Sequence, residues 1–85
     1  MKKIWKYTLE ILDEQVISMP RNAKILYVEN QYGDVKIWVE VDDGEEIYED
    51  RTIYMHGTGH TYEAHNRYIG SVQIYNGNLV FHIFE

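Results

Sequence analysis

The sequence predicts a small all-β domain of about seven strands, an antiparallel meander that forms either a barrel or a two-sheet sandwich. Two observations carry this prediction: apolar and polar residues alternate along most of the chain, and turn residues separate the alternating runs. Only residues 61–68 could carry a helical turn. The 85 residues provide for a single domain over 1–85. A chain of this size buries only about 60 to 65% of its unfolded surface, so we expect a narrow margin of stability.

The N-terminal half contains four predicted strands, each with one apolar face: 5–11, 15–19, 25–30 and 35–41. In the first strand, Trp5, Tyr7, Leu9 and Ile11 are expected to share the buried face. The second stops at Pro20, whose missing amide suits a strand end. Turn residues separate the third strand from the fourth, so these two are expected to form a hairpin.

Three further strands are predicted in the C-terminal half: 51–56, 71–75 and 78–84. Asn76-Gly77 is a strong hairpin turn signal between the last two. The final strand is apolar on both faces. We therefore expect it to lie in the middle of a sheet or to be covered by a partner chain.

Composition and charge exclude several classes of protein. The chain has no cysteine, which rules out disulfides and thiolate sites, and its net charge is −6. Half of the 14 acidic residues lie between positions 40 and 50, a run that we interpret as a solvated loop. Too few cations remain for a nucleic-acid polymer as partner. Without a long apolar segment we expect no membrane association and a cytoplasmic protein. The aromatic share of 14% favours a homo-oligomer.

The residues 54–62 form the most promising candidate site, because two glycines and two histidines meet there between aromatic side chains. Glycines one residue apart can turn their amides toward one anion. In the alternative interpretation the same glycines only turn the chain. Ten residues are predicted to bind a ligand, as anion contacts, charge donors or stacking rings: Gly57, Thr58, Gly59, His60, His56, Arg51, Arg67, Tyr54, Tyr62 and Trp38.

Metal binding and catalysis are weaker hypotheses for the same residues. His56 and His60 are separated by two glycines instead of a helical turn, so we expect no metal and no cofactor. A nuclease built from these two histidines and Arg51 is possible but unspecific. Neither Ser18 nor Ser71 lies in a glycine-flanked nucleophile turn. We therefore expect a protein that is not an enzyme.

Six blocks distributed along the chain carry a family resemblance: Met1 to Tyr7 with Leu9-Glu10, Ser18-Met19-Pro20, Ala23 to Leu26, Gly57-Thr58-Gly59-His60, Tyr68-Ile69-Gly70 and Leu79 to Glu85. In this order they resemble a family of small phage and prophage proteins of about 85 residues that is described only as a domain of unknown function. The similarity spans essentially the whole chain. It supplies a biological context and no activity.

The resemblance implies a functional expectation. A small, acidic, aromatic-rich phage-type protein resembles counter-defence proteins that sequester nucleotide-derived immune signals as sponges, without turnover. The leading hypothesis is therefore a binding protein for a small anionic nucleotide-like ligand, acting in the host cytoplasm. The alternative is a protein-interaction module that blocks or decorates a host or virion protein. An enzyme that alters its ligand is the third hypothesis.

Overall fold

The computed structural model of the chain describes residues 1–65 and 67–85. Seven strands make up its regular secondary structure: β1 (Lys2–Leu9), β2 (Glu14–Pro20), β3 (Lys24–Gln31), β4 (Asp34–Asp42), β5 (Tyr48–Gly57), β6 (Tyr68–Ile74) and β7 (Leu79–Phe84). The described residues contain no helix, and in the segment 61–68 residue 66 lies outside them. Consequently no helix able to cross a membrane occurs in the described part of the chain. The predicted all-β class is confirmed.

The strands form two antiparallel sheets, one with the order β1-β4-β3 and one with the order β2-β5-β7-β6. The sheets do not close into a barrel, so of the two predicted arrangements the two-sheet sandwich is the one observed. Both predicted hairpins, β3–β4 and β6–β7, are present. The strand β7 lies between β5 and β6, which confirms the central position that its two apolar faces predict.

The core lies between the two sheets and contains the inward-facing half of each alternating strand. In β4 all four inward residues, from Val35 to Val41, are at most 1% exposed. They belong to the same buried cluster as Met19, Ile53 and Ile83 of the other sheet. Burial of each such side chain is worth about 1.5 to 3 kcal/mol. Because alternation fixes which residues face inward, it also fixes which side chains remain on the outer faces.

The strand β1 ends earlier than predicted. The side chain of Gln15 accepts a hydrogen bond from the Glu10 amide at 3.0 Å and donates one to the Glu10 carbonyl oxygen at 2.8 Å. These bonds replace the next step of the sheet ladder, so the strand stops at Leu9. Ile11, predicted on the buried face, is 49% exposed.

The two sheets meet along a seam between the edge strands β3 and β6. The Asn30 side chain donates a hydrogen bond to the Gln73 carbonyl oxygen at 2.9 Å. At Gly70, an added Cβ atom would lie 2.9 Å from Cγ1 of Val28. Each edge strand carries an irregularity in its pairing with its inner neighbour, at Ile25/Tyr27 in β3 and at Tyr68/Gly70 in β6.

Candidate functional site

The outer face of the four-stranded sheet carries two rows of chemically useful side chains across β5, β7 and β6. In the first row Tyr54 pairs with Phe84, which pairs with Tyr68. In the second row His56 pairs with His82, which pairs with Ser71. These residues alternate with buried ones such as Ile53, Met55, Val72 and Ile83. The alternation that builds the core therefore also places the two rows on the opposite face.

The segment 58–65 follows β5 and turns back over this outer face; we call it the returning segment. The turn depends on Gly59, whose φ of 84° is costly for other residues. It is closed by a hydrogen bond of 3.1 Å from the His60 amide to the Gly57 carbonyl oxygen. The His60 ring packs so closely against Gly57 that an added Cβ atom would lie 3.0 Å from it. As a result Tyr62 and His65 lie over the two rows.

The returning segment forms a cluster of parallel rings with β5, which we call the ring cluster: Tyr54, His56, Tyr62 and His65. His65 stacks on Tyr54 with ring centroids 3.8 Å apart and planes inclined by 10°. Tyr62 stacks on His56 with centroids 4.5 Å apart and an inclination of 13°. The rings of the two histidines are within 3° of parallel, and their Nε2 atoms lie 2.8 Å apart. Phe84 contacts the cluster at an angle, with its centroid 5.2 Å from that of Tyr62.

The environment of His56 disfavours its protonation. Burial lowers the pKa of His56 below its ordinary value, and the proximity of His65 and, less strongly, His60 lowers it further, whereas Asp13 acts in the opposite direction. An imidazole that stays neutral near pH 7 keeps one nitrogen as donor and the other as acceptor. The close contact between the two Nε2 atoms is compatible with this state.

Two open cavities flank the returning segment. One has a volume of about 480 Å³ and is bordered by the ring cluster together with Asp13, Glu14 and the residues 60–64. The other, of about 450 Å³, is bordered by Tyr54, Ala64, His65 and the residues 50–52 and 85. Since acidic side chains border both, the ring-lined part of this face suits a planar, uncharged group better than an anion.

A chain of hydrogen bonds lies beside the ring cluster and connects four side chains, which we call the hydroxyl chain: Thr58, His82, Ser71 and Tyr68. The Thr58 hydroxyl lies 2.7 Å from His82 Nε2, and the Ser71 hydroxyl lies 2.6 Å from His82 Nδ1. The Tyr68 hydroxyl lies 2.6 Å from that of Ser71. The ten residues predicted to bind a ligand do not include Ser71, Tyr68 or His82. The signal was available, because the Asn76-Gly77 hairpin places residue 71 opposite residue 82.

Two backbone amides of the segment 57–60, where the anion cradle of Gly57, Thr58, Gly59 and His60 is predicted, form hydrogen bonds within the chain. The Thr58 amide donates to the Val80 carbonyl oxygen at 3.3 Å, and the His60 amide donates to that of Gly57 at 3.1 Å. The predicted cradle uses the amides of Gly57 and Gly59 instead, and it stays a prediction. The segment acts as a turn that carries Thr58, Tyr62 and His65 to the outer face.

The two arginines predicted to add positive charge are held by Glu85. Arg51 donates to one carboxylate oxygen of Glu85 at 2.5 Å, and Arg67 donates to the other at 2.7 Å. Each guanidinium also donates to a backbone carbonyl oxygen. Arg51 donates to that of Ala23 at 2.7 Å, and Arg67 donates to that of Ile25 at 2.5 Å. Arg67 thus contacts β3 of the other sheet, and Arg51 contacts the connection that leads into β3.

Trp38 is not brought together with the other predicted site residues. It lies on β4, on the outer face of the three-stranded sheet, where it pairs with Tyr27. The centroids of these two rings are 5.8 Å apart. The structure thus unites Tyr54, His56, Tyr62, Thr58 and the neighbouring His60 on one face, and separates Trp38 from them.

The described residues contain no group of three or more histidine, aspartate or glutamate side chains placed to hold a metal ion. Comparison with known proteins gives one result. A family model described as a domain of unknown function, DUF7352, matches residues 1–85. No curated protein and no solved structure matches the chain.

Proposed function

The chain belongs to the DUF7352 family of domains of unknown function, and from its own geometry we propose that it is a binding protein without catalytic turnover. The ligand would be a small nucleotide-derived molecule, held on the outer face of the four-stranded sheet. The observation that carries this proposal is the ring cluster, whose parallel rings border a cavity of about 480 Å³. Stacking on aromatic side chains is worth about 1 to 3 kcal/mol per base.

The ring cluster supports a ligand with a planar heterocycle. Tyr62 is 46% exposed, so its ring is accessible to a ligand from solvent. The histidine edges supply donors and acceptors for the polar edge of a base. Hydroxyl groups of the neighbouring hydroxyl chain would contact the sugar or phosphate portion, since β5 and β6 are two strand spacings, about 10 Å, apart.

The biological setting belongs to the same proposal. As a phage-type protein in the host cytoplasm, the chain would act as a counter-defence sponge that lowers the concentration of an immune signal. The cavities beside the ring cluster are open to solvent, and a homo-oligomer in which a second copy covers them would hold the ligand more tightly. Sequestration requires only tight binding, so each ligand molecule would be released unchanged.

Thermal stabilisation by candidate ligands tests this proposal. Purified protein is heated with ADP-ribose, cyclic mononucleotides or cyclic dinucleotides. A ligand that binds only the folded state stabilises it by about 2.7 kcal/mol when the free ligand concentration is 100 times the Kd. We expect a positive shift in Tm for the wild type and a much smaller one for Tyr62→Ala. Tyr32→Ala is the matched control, since Tyr32 is 100% exposed in the β3–β4 turn. No shift with any ligand, or equal shifts in both variants, contradicts the proposal.

A protein-interaction module is the second candidate, and the outer face of the three-stranded sheet favours it. Ile4 and Tyr27 are 60% and 52% exposed there, next to Trp38. Aromatic residues are enriched where proteins bind one another. A pull-down from host lysate with wild type and Trp38→Ala tests this candidate. It requires one stable partner that the variant loses, and a partner retained equally by both proteins contradicts a role for this face.

A further inference from the structure

The hydroxyl chain places two hydroxyl groups next to each other at the surface of the four-stranded sheet. Ser71 and Tyr68 are exposed, and their oxygen atoms are 2.6 Å apart. One of the two hydroxyl protons lies in the hydrogen bond between these oxygens, so the pair has one further proton that can point to an oxygen of a phosphate or sulfate group. The register of β6 against β7 shifts between Tyr68 and Gly70, just before Ser71.

The imidazole of His82 determines where the hydroxyl protons point. A neutral imidazole has one nitrogen that accepts, and if this is Nδ1 it takes the Ser71 proton, while Tyr68 donates to Ser71. In a protonated imidazole both nitrogens donate. Ser71 then accepts from His82, one hydroxyl proton stays in the Ser71–Tyr68 hydrogen bond, and the other is available to a bound oxyanion. Protonation also adds a positive charge beside the two hydroxyls.

We propose that Ser71 and Tyr68 form an oxyanion subsite for phosphate-type groups, with His82 as a positioning residue that binds a proton together with the anion. This inference rests on the proposed function, because the subsite would hold the anionic portion of the ligand whose ring stacks on the ring cluster. It is distinct from the predicted backbone cradle at Gly57–His60. Thr58 completes the arrangement by accepting from the other nitrogen of His82.

The surroundings of His82 are compatible with this role. In register, His82 lies opposite His56 on β5 and Ser71 on β6, and Thr58 contacts it from the returning segment. None of these three carries negative charge near neutral pH. The acidic residues that border the cavities of this face are Asp13 before β2, Glu14 in β2, Asp50 in β5, Glu63 in the returning segment and Glu85 after β7. The carboxylate of Glu85 is paired with Arg51 and Arg67.

Sulfate is the probe for this subsite, because its charge does not change between pH 5.5 and pH 7.5. Backbone and side-chain NMR signals of wild-type protein are followed during sulfate titration at both pH values, with chloride of equal ionic strength as the reference. We expect shifts at Tyr68, Ser71 and His82, and a Kd several-fold lower at pH 5.5 than at pH 7.5, because a protonated imidazole places a positive charge beside the bound anion.

Three variants separate the roles of the residues. Ser71→Ala removes the hydroxyl that connects His82 with Tyr68 and should weaken sulfate binding at least several-fold. Ser18→Ala, the matched control on the outer face of the same sheet, should leave binding unchanged. His82→Gln still forms hydrogen bonds but does not titrate, so the Kd should become nearly independent of pH. If His82 had only a structural role, the Kd of His82→Gln would depend on pH in the same way as that of the wild type.

The outcomes distinguish this inference from the proposed function. Shifts no larger than with chloride, or unchanged binding in Ser71→Ala, overturn the subsite. If a nucleotide still stabilises wild type and not Tyr62→Ala in that case, the proposed function stands without the subsite. If sulfate binds as expected and no nucleotide binds, the subsite stands and the proposed function falls.

Discussion

The Nε2 atoms of His56 and His65 lie 2.8 Å apart in rings that are within 3° of parallel. At this distance one nitrogen must donate and the other must accept, so the pair can hold one proton between the two atoms. Two imidazolium ions in the same positions would repel each other and would have no acceptor. This contact therefore links the position of the returning segment to pH.

The stability of the fold should fall between pH 7.5 and pH 5.5. The pKa of His56 is lowered in the folded state by burial and by His65, so the unfolded chain binds the proton first as the pH falls. Stability is then greatest above the ordinary imidazole pKa of about 6.5 and is lost as the pH falls from there toward the lowered value. Thermal unfolding should give a lower Tm at pH 5.5 than at pH 7.5.

Variants assign this pH dependence to the pair. In His56→Gln most of the difference in Tm between the two pH values should disappear, because glutamine does not titrate. His60→Gln should retain most of it, since His60 contributes less to the lowered pKa of His56. An unchanged pH dependence in His56→Gln would show that the pair is not its source.

The sequence predicts the sheets better than the site, for a physical reason. Alternation of Val35, Ile37, Val39 and Val41 requires one buried face, and the structure confirms it. The stacking of His65 on Tyr54 depends on how the segment after Gly59 folds back. The alternation of apolar and polar residues does not predict that path of the chain.

The contacts of the charged residues were equally hidden. Arg51 and Arg67 look like free cations in the sequence because their partner, Glu85, is 34 and 18 residues away. The pairing of Ser71 with His82 was within reach, because a two-residue loop at Asn76-Gly77 predicts residue 71 opposite residue 82. The structure has this register, with residues 75–78 between the strands. The two glycines at 57 and 59 instead favour the prediction of an anion site made of backbone amides.

Removal of the Glu85 carboxylate should destabilise the fold. Its side chain is only 15% exposed and binds two guanidinium groups, which would remain partly buried without their acceptor. We expect Glu85→Ala to lower the free energy of unfolding by about 1 to 3 kcal/mol. Urea denaturation measures this, with Glu46→Ala as the control for an exposed acid. Equal midpoints for the two variants would mean that the arginine contacts do not stabilise the chain.

A methyl group at Gly70 should separate the two sheets at their seam. The added Cβ atom would lie 2.9 Å from Cγ1 of Val28, and such overpacking costs about 1 to 3 kcal/mol. Gly44→Ala is the matched control, because there the nearest atom would be at an ordinary 3.6 Å. The measurement is the urea midpoint of each variant. A Gly70→Ala protein as stable as Gly44→Ala would contradict the close approach of β3 and β6.

The turn that carries the returning segment should depend on Gly59. Its φ is 84°, with no atom within 4 Å of an added Cβ atom, so the cost of Gly59→Ala comes from the backbone alone. We expect a loss of about 1 kcal/mol. The NMR signals of His56 and His65 report whether the ring cluster persists. Gly59→Ala with unchanged stability would argue against the left-handed turn.

Mass spectrometry of the denatured protein tests the central claim most directly. Wild type and Tyr62→Ala are produced in cells in which nucleotide immune signalling has been activated, purified under the same conditions and denatured, and the released small molecules are identified. The account predicts a nucleotide-derived molecule, chemically unchanged, that is released from the wild type and depleted in Tyr62→Ala. Wild-type protein that releases no such molecule, or equal amounts from both proteins, would contradict ligand capture by the ring cluster.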